Sequence, residues 1–96
     1  MTKLPTHRCP TLAGEILLEE FLKPAKVTQK MLAEHTGWTP AKISEIIHGK
    51  RAITPESALV LADTFGTTAE FWLNLQLSVD LWLAKQQHIT VERLVS

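Results

Sequence analysis

A chain of 96 residues, 45% of them apolar, can fill one core and is expected to make a single domain; it has no apolar run of about 18 residues or more, so no membrane span is expected. Residues 1–10 lack the apolar stretch of a secretory signal, and the single cysteine, Cys9, has no partner for an internal disulfide; both fit a reducing cytoplasm. Net charge is zero but uneven: between Lys23 and Arg51 six basic residues (Lys23, Lys26, Lys30, Lys42, Lys50, Arg51) accompany two acids (Glu34, Glu45), a local +4, and the rest of the chain carries −4. Local potential, not net charge, steers a polyanion, so the neutral total does not exclude nucleic acid.

Residues 1–12 hold Pro5 and Pro10, lack periodicity and read as an extended lead. His7-x-Cys9 within it is half of a metal site with nothing to complete it, so neither metal nor cofactor is expected. A first helix is predicted over 14–22, with Ile16, Leu17 and Phe21 inward and Glu15, Glu19 and Glu20 in solvent. Pro24 disfavours helical geometry at Lys23 and is expected to stop it there. A second helix, 29–36, starts at the N-cap Thr28, buries Leu32 and Ala33, and ends at Gly37, which can turn left-handed. A third, 40–48, has Thr39 as N-cap, Pro40 in the first position, Ile43, Ile46 and Ile47 inward, and Gly49 as its stop. Thr54-Pro55-Glu56 repeats that start signal for a fourth, 55–65, with Ala58, Leu59, Leu61, Ala62 and Phe65 as core face and Gly66 as stop.

The fifth helix, 69–86 with Thr68 as cap, is apolar on two sides. Phe71, Trp72, Leu75, Val79, Trp82 and Leu83 form one face, and Leu73, Leu77, Leu81 and Ala84 a second. Two faces need two partners: the protein's own core, and a second subunit or another protein. The second face is assigned to pairing, although the spacing of Trp72, Leu75, Val79 and Trp82 is coiled-coil-like as well. Residues 88–96, HITVERLVS, fit a short strand and a frayed turn equally. Five helices without a firm strand make the chain all-α: a lead over 1–12, a helical body over 13–86 and a tail over 87–96.

The stretch TQKMLAEHTGWTPAKISEIIHG, residues 28–49, carries the chemistry. Ala33, Gly37 and Ile43 have the spacing of two helices crossing steeply over a tight turn: a small residue at the crossing, a glycine at the reversal, an isoleucine packing back beneath the alanine. This is a helix-turn-helix. With Ile43 and Ile47 inward, the third helix turns Ala41, Ser44, Glu45 and His48 outward, where a major groove would meet them. Ala41 can touch a thymine methyl, Ser44 can donate or accept, and Glu45 can accept from a cytosine amino group. Lys42 on the flank, Thr39 and Pro40 at the helix start, Thr28 and Gln29 at the preceding helix N-terminus, and Lys50 and Arg51 beyond Gly49 suit phosphates or the groove rim. The set lacks the forked Arg–guanine and Asn/Gln–adenine pairs, so shape readout carries more weight. For Glu45 an ordinary solvated acid is an equal alternative.

GEILLEEFLKP at 14–24, SEIIHGKRAIT at 44–54 and FGTTAEFWLNLQLSVDLWLA at 65–84, together with the helix-turn-helix, closely resemble the HigA/VapI antitoxins of the XRE (lambda-repressor-like) superfamily. The likeness spans residues 12–86; GKRAIT followed by AEFWLNLQ is its most specific part. Members usually show His-Pro-Gly ahead of the GEIL motif, where this chain has Leu12-Ala13-Gly14. The resemblance implies a five-helix lambda-repressor-like domain that forms a homodimer, binds a palindromic double-stranded DNA operator near its own promoter, and holds a RelE-like, mRNA-cleaving toxin inactive. Two alternatives stay open: a stand-alone XRE-type repressor without a toxin, and a protein-interaction module that no longer binds DNA. An enzyme is not expected, because no catalytic triad or paired carboxylates occur.

Overall fold

The computed structural model describes residues 9–95, and among these residues the regular structure is five helices without a strand. The metal half-site residue His7, and most of the predicted lead, lie outside the described residues; Cys9 is exposed.

The first helix, α1, opens over Ala13–Ile16, widens into a π-helical stretch over Leu17–Leu22 and closes over Lys23–Ala25. It does not stop at Lys23, which is fully helical (φ −63°, ψ −50°). The π stretch explains the difference: the Lys23 N–H bonds back five residues to the Leu18 carbonyl, so the ladder has already left the four-residue register in which Pro24 would be most disruptive. The chain leaves the helix only at Lys26, which takes a left-handed conformation at φ 58°.

Helix α2 spans Gln29–Thr36, α3 Pro40–Ile47, α4 Pro55–Phe65 and α5 Ala69–Gln87. Each starts at a threonine whose hydroxyl accepts a backbone N–H three residues on: Thr28 from Met31, Thr39 from Lys42, Thr54 from Ser57 and Thr68 from Phe71. Threonine in extended geometry satisfies one of the otherwise unpaired N–H groups of a first turn. Gly37 and Gly66 end α2 and α4 at φ 79° and 72°. Residues 88–95 form no regular element.

Leu17, Leu22, Leu32, Ile43, Ile46, Leu61 and Trp72 are the largest fully buried side chains, drawn from all five helices. Trp72 is the keystone. Its indole N–H donates to the Thr67 hydroxyl at 2.7 Å, and its ring lies against Phe21, Phe65 and Phe71. Burying a tryptophan removes a large apolar area from water, and the bond to Thr67 meets its one polar need.

Two expected core faces are narrower than the periodicity suggests. Leu59 on α4 is 57% exposed, because Ser57, Ala58, Leu61 and Ala62 are the residues that face inward. On α5 only Trp72 and Val79 are buried; Leu75 and Trp82 are half-buried, while Phe71 and Leu83 are exposed. The second face divides as well: Leu73 packs against the core cluster, and Leu77, Leu81 and Ala84 stand in solvent. Helices α4 and α1 pack against α5, its buried residues end at Val79, and beyond that point only Trp82 is partly covered. Among the described residues no helix is long and apolar enough to cross a membrane, and no His/Cys/Asp/Glu group could hold a metal ion.

Candidate nucleic-acid interface

Helix α2, the turn at 37–39 and α3 form the helix-turn-helix. Ala33 and Ile43 are both buried at its crossing, and the Gly37 N–H caps α2 on the Ala33 carbonyl at 2.9 Å. The turn is pinned from within: the Thr36 hydroxyl donates to the Leu32 carbonyl and accepts from the Trp38 N–H. Trp38 packs on the core edge with the Lys42 ammonium 4.4 Å from its ring centroid, a cation–π contact that holds the lysine at the start of α3.

The placement of α3 is fixed from behind by Gly14. A Cβ there would lie 1.9 Å from the Ile46 carbonyl oxygen and 2.7 Å from the Ile47 Cα, so the backbones of α1 and α3 touch directly. Leu12 then packs under the end of α3, with Cδ1 2.8 Å from where a Gly49 Cβ would be. Sequence spacing carries no signal for this crossing, because Gly14 and Ile46 lie on separate helices that no helical period relates. Gln76 carries no signal in the sequence either. From α5 it accepts the Ile53 N–H at 2.8 Å and donates to Asp80 at 2.9 Å, tying the α3–α4 loop to the body.

The outward set lies where the periodicity puts it. Ala41 and His48 are exposed, and Lys42, Ser44 and Glu45 are partly so, on the face opposite Ile43, Ile46 and Ile47. Thr28, Gln29, Thr39, Pro40, Lys50 and Arg51 are exposed around it. Several of these groups are already engaged. The Thr28 and Thr39 hydroxyls spend their acceptor function on caps and keep an O–H to donate. His48 Nδ1 lies 2.8 Å from the Ser44 carbonyl and 3.3 Å from the Ser44 hydroxyl. That ring nitrogen therefore sits on a backbone acceptor, not in the position of a base that activates a serine. Arg51 and Glu45, assigned above to separate DNA groups, are joined: Nε donates to Oε1 at 2.8 Å and Nη2 lies 2.7 Å from the same oxygen. Lys23 is paired to Glu19 within α1 at 2.8 Å, whereas Lys26, Lys30 and Lys50 extend into solvent.

The family model described as Helix-turn-helix matches residues 18–72. Antitoxin HigA-1 of Vibrio cholerae is 42% identical over 83 residues, which cover 86% of this chain and 78% of that protein. The HTH-type transcriptional regulator YbaQ of Escherichia coli K12 is 42% identical over 87 residues, covering 91% of this chain and 77% of that one. Antitoxin GraA, solved in complex with its operator, superposes with a TM-score of 0.83 at 36% identity, covering 98% of this chain and 100% of that chain. With a matching helix-turn-helix, an all-α fold and relatives aligned over most of their length, the chain belongs to the HigA family of antitoxins within the XRE-type helix-turn-helix superfamily.

Proposed function

We propose that this chain is a DNA-binding antitoxin that acts in the cytoplasm as a homodimer. It represses its own operon from a palindromic operator and neutralises a RelE-like toxin that cleaves mRNA. The observation that carries the reading is α3: a short capped helix with an exposed polar face, backed by a glycine-close contact to α1 and flanked by Lys50 and Arg51, in a chain similar to an antitoxin solved on its operator. Ala41, Ser44 and His48 face the major groove, and Thr28, Gln29, Thr39, Pro40, Lys42, Lys50 and Arg51 take phosphates and the groove rim.

Pairing falls to the protruding half of α5. Leu77 and Leu81 are 60% and 50% exposed there, next to Ala84, with Leu73 at the margin where the face meets the core. The buried Trp82 Nε1, on the same half-helix, has no acceptor among the described residues. Two such chains would set their α3 helices about one DNA turn apart, roughly 34 Å. Co-expression with the small reading frame beside this gene tests the antitoxin assignment. Co-purification and restored growth support it; failure of the neighbour to arrest growth or to bind favours a stand-alone repressor.

A further inference from the structure

We propose that Glu45 is a positioning residue for Arg51 and does not read a base. The inference rests on the DNA-binding reading above and sharpens it at one site.

The geometry of the pair carries it. Glu45 engages the side edge of the guanidinium through a single oxygen, Oε1, taking Nε at 2.8 Å and Nη2 at 2.7 Å. It also holds the backbone of the same residue: its carbonyl oxygen accepts the N–H groups of Lys50 at 2.7 Å and Arg51 at 3.2 Å. One residue of α3 thus fixes the loop, the Arg51 backbone and the Arg51 side chain. A guanidinium has five N–H donors in a rigid plane. With its side edge occupied, its end edge, Nη1 together with the outer Nη2 hydrogen, remains a two-pronged donor on a side chain 49% exposed. Such a fork fits two oxygens of a phosphate.

As a stability device the pair makes little sense, since both partners are half in water, where ion pairs contribute little. As pre-organisation it does: an arginine already held in one rotamer loses less freedom when it binds. The arrangement also changes what Glu45 can do, because the oxygen facing Arg51 is committed and a carboxylate beside DNA otherwise repels phosphate.

This gives a test with opposite signs. Binding of the full chain to a duplex of the DNA upstream of its own reading frame, and to a scrambled duplex of equal length, is measured for wild type, Glu45→Ala, Arg51→Ala and the double variant. If Glu45 positions Arg51, Glu45→Ala weakens binding to both duplexes by roughly 3- to 10-fold despite removing a negative charge. In the Arg51→Ala background the same change produces no loss, and the thermal midpoint stays put throughout. Stronger or unchanged binding by Glu45→Ala overturns the proposal and marks a solvated acid. An equal loss in both backgrounds, confined to the upstream duplex, overturns it in favour of base reading. If wild type binds neither duplex, the DNA-binding reading itself fails, a result separable from the other two.

Discussion

At the scale of single residues, the strongest constraint is a missing side chain. A methyl group added to a helical glycine ordinarily stabilises by roughly 0.5–1 kcal/mol, through reduced backbone freedom in the unfolded chain. At Gly14 that gain meets a Cβ 1.9 Å from the Ile46 carbonyl oxygen, and the obstacle is backbone, which cannot swing aside. Overpacking at about 1–3 kcal/mol wins, and Gly14→Ala is expected to melt about 5–15 °C lower in a thermal scan. An unchanged or raised midpoint would show that α1 and α3 do not touch as described. Neither the Gly14 contact nor the Arg51–Glu45 pair was legible in the sequence. Both join residues at spacings that no helical period relates, and only the folded chain brings them together. The threonine caps were legible, because a cap is a local bargain among four consecutive residues.

At the scale of elements, most boundaries follow from local chemistry. The cap–proline starts at Thr39-Pro40 and Thr54-Pro55 and the glycine stops at Gly37 and Gly66 fall where the sequence places them. Helix α1 is the exception. Its proline was expected to end it, but a π stretch, invisible to residue propensities, lets the helix run to Ala25. The start of α3 matters most, since this helix and its C-cap carry Ala41, Ser44 and His48, the residues proposed to face the major groove. Thr39→Ala removes the oxygen that accepts the Lys42 N–H at 3.1 Å and should cost about 1 kcal/mol. The expected readout is a midpoint about 4–8 °C lower, together with weaker binding to upstream DNA as the first turn of α3 frays. The expected drop in midpoint with unaltered DNA affinity would separate the cap from the interface.

At the scale of the whole molecule, the periodicity of α5 correctly signals more apolar surface than one core can cover, but it misassigns individual residues. Phase alone cannot tell how far along a helix its neighbours reach. Leu73 belongs to the core margin and Leu83 to solvent, because the bundle ends midway along the helix. Leu77 remains at the centre of the proposed pairing face. Leu77→Asp should shift the sedimentation profile from dimer to monomer while leaving helix content intact, since a side chain 60% exposed in the single chain contributes little to its core. A dimer of unchanged mass would move the pairing surface elsewhere. Charge also belongs to this scale. A neutral chain that gathers +4 between Lys23 and Arg51 is polarised toward the helix-turn-helix, and the phosphate contacts proposed for Lys42, Lys50 and Arg51 would release counterions from DNA. The most direct test of the account is therefore equilibrium binding of the full chain to its own upstream duplex across a salt series, with a scrambled duplex as reference. The account predicts saturation at two chains per site, a logarithmic affinity that falls linearly with logarithmic salt, and a preference for the upstream duplex of roughly a thousandfold or more. Equal affinity for the two duplexes, or no binding to either, would contradict it.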